Sequence, residues 1–244
     1  MKPRVKTGIS GVDKMLDGGI PAGNQVILAG GPGTGKTLMC FEFLYKGAKE
    51  GNSGVFISLE EDAENLIENV KSAFPSFTDI DKLIKEKKLV IFGASDTGVY
   101  VRRDADSSSY TFGKLVTEIE SIVSSAHASR VALDSVSVMR LLIKDTLEYR
   151  NMTMNLVSAL RRSGVTTLVT SELEIAEKSR LLFLPEFFLY DGIIVMYAGG
   201  AADTESRTLS LEVVKMRGSS HSFSTAPYEI TPEGINVLFL AERG

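Results

Sequence analysis

Short apolar runs rich in β-formers alternate with longer amphipathic segments along most of the chain. This rhythm predicts parallel strands joined by crossover helices. Asn24 to Ala29 (NQVILA) reads as a buried strand, followed by a glycine loop and an apolar helix from Lys36 to about Lys49. Gly54 to Leu59 is the next strand, running into Glu60 and Glu61. Leu66, Ile67, Val70 and Phe74 recur at helical spacing, and Pro75 stops that helix. Leu89 to Phe92 is a third strand, and the polar stretch Tyr100 to Tyr110 is expected to be a surface loop. A helix from Phe112 to about Ala128 turns Leu115, Ile119, Ile122 and Val123 to one face and leads into strand Arg130 to Leu133, then Asp134. Helix Leu147 to Arg162 and strand Thr166 to Thr170 continue the alternation.

After Asp191 the rhythm changes, because apolar runs follow one another without helices between them. Gly192 to Tyr197, Thr208 to Met216, a stretch around Tyr228 to Ile230 and Ile235 to Leu240 are expected to add antiparallel strands to the sheet edge. Turns are placed at Gly199-Gly200 and from Pro232 to Gly234. With no linker, internal repeat or low-complexity block, residues 1–244 are read as one α/β domain, a mainly parallel sheet flanked by helices.

Composition narrows the class. The chain has 27 Lys and Arg against 31 Asp and Glu, a net charge of −4, which argues against a strongly electrostatic nucleic-acid binder. Cys40 is the only cysteine and His127 and His221 the only histidines, so neither an internal disulfide nor a zinc cluster of Cys and His is available. No apolar run reaches the length of a membrane span, and the start, MKPRVKTGIS, lacks a hydrophobic signal segment. These features lead to the expectation of a soluble cytoplasmic protein with no membrane partner.

The segment Gly30-Gly31-Pro32-Gly33-Thr34-Gly35-Lys36-Thr37 matches the pattern G-x-x-x-x-G-K-[ST] between a predicted strand and a predicted helix. In that context glycines let backbone N–H groups curl around phosphate oxygens, and the helix N-terminus adds favourable partial charge. Lys36 would reach the β- and γ-phosphates of a nucleotide, and the Thr37 hydroxyl would ligate Mg²⁺. The alternative is a glycine turn that merely joins strand to helix.

A second acidic group is needed beside the metal. Asp134 ends a strand, and ligands of parallel sheets collect at the carboxyl edge, so Asp134 is the candidate metal-side carboxylate. Glu60 and Glu61 end the strand after the loop helix, where a carboxylate can activate a water. They read equally well as a solvated helix start with Asp62 and Glu64. Alternation along a strand lets at most one of the pair face the site in the same way.

Thr7-Gly8-Ile9 with Gly11, Asp13 and Leu16, then Gly18-Gly19-Ile20-Pro21, the phosphate loop, Leu59-Glu60-Glu61, Asp134-Ser135 and Lys215-Met216-Arg217-Gly218-Ser219-Ser220-His221 together resemble the KaiC-like branch of the RecA-superfamily ATPases. The likeness runs from Thr7 to about Asn236. It implies a RecA-like P-loop core that assembles as a homo-oligomeric ring, usually a hexamer, with ATP between neighbouring subunits. It also implies that the paired glutamates activate the water. Nucleotide contacts would come from Gly31, Pro32, Gly33, Thr34, Gly35, Lys36, Thr37 and Leu38, with Ser72 near the base. Lys215, Met216, Arg217, Ser219 and His221 would reach the neighbour's nucleotide, Lys215 and Arg217 as cations that neutralise transition-state charge. Read without the family, Lys215 and Arg217 are the outward side of an alternating edge strand.

Two-domain members of the family carry an autophosphorylated Ser-Thr pair where this chain has Phe187-Phe188, with Tyr190 nearer Asp191, so a phosphorylation cycle of that kind is not expected. Leu181 to Tyr190 is unusually apolar and reads either as core or as a contact surface for a subunit or partner. Arg140, Lys144 and Arg150, with Lys178 and Arg180, supply a few charges but little aromatic interleaving, so DNA binding stays open without support. The expected activity is therefore slow, Mg²⁺-dependent ATP hydrolysis that switches conformation for an unidentified protein partner. The alternatives are an ATP-sensing scaffold without significant hydrolysis and a recombinase-like DNA-binding ATPase.

Overall fold

The computed structural model describes residues 2–96, 108–143, 145–173, 184–199 and 208–239. A short ribbon of β1 (Arg4–Val5) and β2 (Ile20–Pro21) encloses α1 (Ser10–Met15). Then come β3 (Gln25–Gly30), α2 (Lys36–Lys49), β4 (Gly54–Ser58), α3 (Ala63–Ala73), α4 (Ile80–Lys85) and β5 (Leu89–Phe92). The middle of the chain forms α5 (Ser108–Ser125), β6 (Arg130–Asp134), α6 (Ser137–Leu142), α7 (Thr146–Arg162) and β7 (Thr166–Glu172). A 3-10 helix (Pro185–Leu189) precedes β8 (Gly192–Gly199), β9 (Thr208–Met216), β10 (Ala226–Thr231) and β11 (Gly234–Val237).

Nine strands form one sheet in the order β11-β10-β9-β8-β3-β7-β6-β4-β5. The six strands from β8 to β5 run parallel, and β9, β10 and β11 extend the sheet antiparallel. Strand β3 lies between β7 and β8 and is apolar on both faces, as a central parallel strand requires. Val26 and Leu28 join the core under α1 to α4, whereas Ile27 and Ala29 join the core under α5 and α7.

The observed mixed sheet agrees with the expected architecture, with one correction. Gly192 to Tyr197 was expected to be antiparallel, yet β8 pairs parallel with β3. The stretch from 173 to 191 is long enough for a crossover between parallel strands, so the change of rhythm after Asp191 was a poor guide to the direction of β8.

Other differences are local. Helix α5 starts at Ser108, so residues 108–110 are helical where a loop was expected; residues 97–107 lie outside the described part. Strand β7 runs two residues past Thr170, and β11 ends at Val237, short of the expected Leu240. Periodicity overlooked α1, α4 and α6, each only six residues long and too short to declare a face. Pro75 does follow the end of α3, and the Asp145 carboxylate caps α7 by accepting the Glu148 N–H at 2.7 Å.

Candidate nucleotide site and the family it belongs to

Strands β3, β4, β6 and β7 all end at the same carboxyl edge, and that edge carries the candidate chemistry. The loop from Gly30 to Thr37 follows β3. Gly33 and Gly35 adopt φ of 74° and 80°, the left-handed region in which a side chain is strained, so the loop can turn its N–H groups inward only with glycine there. A Cβ on Gly31 or Gly33 would meet nothing within 4 Å, so the loop is open on the side a phosphate would take. Thr34 closes it by donating to the Gly31 carbonyl at 2.9 Å.

Lys36 opens α2 and bends back onto the loop, donating to the carbonyls of Gly30 and Gly31 at 2.9 Å each. Burial lowers its pKa, opposed by the negative charges of Asp134, Glu172 and Glu60. A phosphate seated in the loop would oppose that desolvation further. Thr37 donates its hydroxyl to Asp134 Oδ2 at 2.6 Å, and Thr170 donates to Asp134 Oδ1. The Asp134 side chain is thus held across the sheet edge by hydroxyls from α2 and β7.

The two glutamates part company. Glu60 accepts the Ser135 hydroxyl at 2.7 Å, directly beside Asp134. Glu61 is held by Asn69 on α3, and partial burial raises its pKa. This is the divergence that alternation at a strand end allows. The peptide bond between Asp134 and Ser135 is cis.

Lys215 and Arg217 lie elsewhere. Met216 pairs with Gly192 and Gly192 with Val26, whereas Gly30 pairs with Met196, four positions further along β8. The end of β9 is therefore about 13 Å along the sheet from the level of the subunit's own loop, at about 3.3 Å per strand residue. Lys215 donates to the carbonyl of Tyr190 at 2.6 Å, and Arg217 to that of Phe188 at 3.1 Å with the Asp191 carboxylate 3.5 Å away. Neither side chain turns towards the loop.

The remaining candidates of this segment divide as well. Ser219 binds the Arg4 guanidinium, and the His221 ring lies 4.7 Å from that of Phe223. Met216 points its side chain into the core against Asn24, leaving only its backbone for a ligand. Ser72 is exposed on α3, and Leu38 packs partly into the core. Cys40 is buried in that core, as its place on an apolar helix suggested. In the apolar segment before β8, Phe187 and Tyr190 are buried core, while Phe188 is 55% exposed; residues 181–183 lie outside the described part.

Several site residues escaped the sequence. Thr170 and Ser135 position the two carboxylates, and the strand-edge rule that found Asp134 could have found Thr170 as well. Tyr228 on β10 donates to the Thr34 carbonyl, and Ile230 lies against Gly35, so the antiparallel extension buttresses the phosphate loop. Only the sheet order reveals that contact.

Thr37 and Asp134 supply hard oxygen donors of the kind Mg²⁺ takes alongside phosphates and waters, so this pair fits a magnesium-nucleotide complex. Among the described residues no group of three or more His, Cys, Asp or Glu is placed to hold a metal.

Sequence comparison settles the lineage. The family model for the KaiC ATPase matches residues 5–242. The chain belongs to the KaiC ATPase family. Within it, the chain is 36% identical to a UPF0273 protein of Methanopyrus kandleri, over 99% of this chain and 96% of that one. It is 33% identical to the circadian clock oscillator protein KaiC of Synechococcus elongatus, over 96% of this chain but 44% of that longer protein. Among solved structures, a KaiC-like protein from the hyperthermophilic archaeon Pyrococcus horikoshii superposes with a TM-score of 0.81 at 31% identity, covering 98% of this chain and 100% of that one. The fold is thus the RecA-like fold of KaiC-like proteins. No helix among the described residues is long and apolar enough to cross a membrane.

Proposed function

We propose that this KaiC-family chain, one ATPase domain throughout, is a Mg²⁺-dependent ATPase that works as a homo-oligomeric ring, usually six subunits in this family, and switches conformation for a protein partner in the cytoplasm. One arrangement carries the reading: Lys36, Thr37, Asp134 and Glu60 converge at one strand edge, while Lys215 and Arg217 sit at the opposite edge of the same sheet. A cation that cannot reach its own loop is suited to a neighbour's.

Loop amides and Lys36 hold the phosphates, and Thr37 and Asp134 hold Mg²⁺, which when bound offsets phosphate charge. Glu60, oriented by Ser135, accepts a proton from water as the water oxygen bonds to the γ-phosphorus and the bond to the bridging oxygen breaks. Lys215 and Arg217 of the adjacent subunit neutralise the charge that builds up.

The test is mass by light scattering with and without Mg-ATP, paired with phosphate release from the native chain and Arg217→Ala. A nucleotide-favoured oligomer whose hydrolysis fails in the variant supports the shared site. A monomer that hydrolyses ATP equally with and without Arg217 overturns it. ATP binding without single-turnover hydrolysis makes the protein an ATP-sensing scaffold instead.

A further inference from the structure

The 3-10 helix presents the carbonyls that hold Lys215 and Arg217, so whatever fixes this helix fixes them. Its Glu186 is almost completely buried, with a side chain 3% exposed. Glu186 Oε1 lies 3.5 Å from Arg140 Nε on α6, yet among the described residues no hydrogen bond reaches that oxygen. The Tyr190 hydroxyl, which follows the same helix, is also buried without a hydrogen-bond partner among the described residues. A desolvated carboxylate next to such groups is costly unless a cation offsets it.

Arg140 is the cation in place. Its guanidinium lies over the Tyr149 ring, 5.5 Å from the centroid, and the Tyr149 hydroxyl donates to the Val136 carbonyl, at the start of α6, at 3.4 Å. Arg150, one residue on in α7, donates to the Pro185 carbonyl at 2.7 Å and so holds the first turn of the 3-10 helix. Helices α6 and α7 together brace the segment that ends in the Phe188 and Tyr190 carbonyls.

We infer that Arg140 and Glu186 are positioning residues for the cations of the neighbouring site. Their ion pair sets where the 3-10 helix places its carbonyls, and thereby where Lys215 and Arg217 point when the next subunit docks. This rests on the proposal that those cations act between subunits.

A mixing experiment separates the two ideas. Recipient subunits carry Arg217→Ala, with an intact loop but no cation to give. Donor subunits carry Lys36→Ala, with a disabled loop but intact Lys215 and Arg217. Neither releases phosphate well alone, and mixed rings should recover it. Arg140→Gln, at a side chain 41% exposed, and the isosteric Glu186→Gln are each added to the donor and, separately, to the recipient, with melting curves and ring assembly checked first. Each change in the donor should cut recovered phosphate release roughly tenfold, within the about 10²-fold that a 1 Å misplacement can cost. Placed in the recipient, it should cost less than about twofold, with the KM for ATP held. A purely structural role would lower both placements alike, and that result, or full recovery with folded donor variants, overturns the inference. If unmodified donors fail to restore activity, the shared-site reading falls and takes this inference with it.

Discussion

Thr37 and Asp134 meet at 2.6 Å, hydroxyl to carboxylate, although the first opens α2 and the second ends β6. The contact closes the gap between the phosphate loop and the carboxyl edge of the sheet, with β7 between β3 and β6. Thr170, on that intervening strand, takes the other Asp134 oxygen, so the carboxylate is aimed from both sides.

Asp134→Asn should cut phosphate release by about 10²-fold or more, because an amide offers the metal one neutral oxygen where a carboxylate offers charge. Thr37→Ser, which keeps the hydroxyl, should cost far less than Thr37→Val. Phosphate release across a magnesium titration checks both, and equal rates for Asp134→Asn and the native chain would refute the metal-side assignment.

Glu60→Gln should lower single-turnover hydrolysis about 10²- to 10⁴-fold, the range for loss of a general base, while leaving nucleotide affinity nearly unchanged. Glu61→Gln should do less, since Glu61 is turned to Asn69 on α3. The reverse order in single-turnover assays would move the base assignment to Glu61.

Glu42 on α2 makes stability depend on pH. The residue is 2% exposed, and burial pushes its pKa from about 4.5 to about 7 although it accepts the Ile235 N–H at 2.7 Å and has Lys46 at 3.8 Å. A raised carboxylate pKa means that the folded state holds the proton more tightly than the unfolded chain. The associated stability is present below about pH 4.5 and is lost as pH rises through about 7. Urea unfolding at pH 5 and pH 8 should show this loss, roughly 3 kcal/mol, and Glu42→Gln should flatten the curve in that window.

Tyr228→Phe removes the hydroxyl that binds the Thr34 carbonyl. The expected cost is about 1 kcal/mol of stability, with ATP affinity falling in step because the buttressed group belongs to the phosphate loop. Gly35→Ala should be more damaging for ATP binding. Its φ of 80° strains any side chain by about 1 to 2 kcal/mol, and a Cβ would lie 2.9 Å from Ile230 Cδ1. Calorimetric titration of ATP into the two variants measures both, and unaltered affinity in Gly35→Ala would show that the loop does not need this conformation.

What the sequence determined by itself was the local chemistry and its order along the chain. A strand, a glycine loop and a helix are written in neighbouring residues, so the place of the candidate phosphate loop, with Lys36 and Thr37 opening the helix, was legible directly. Asp134 followed from one further rule, that parallel strands gather ligands at their carboxyl ends. Glu60 and Glu61 were equivalent until Ser135 and Asn69, far from each other in sequence, drew them apart. The parallel direction of β8, the support of the loop by Tyr228, and the seat of Lys215 and Arg217 at the sheet's other edge were decided only by tertiary structure. Strand order and direction depend on which apolar faces pack together over the whole sheet, and no window of a few residues contains that information.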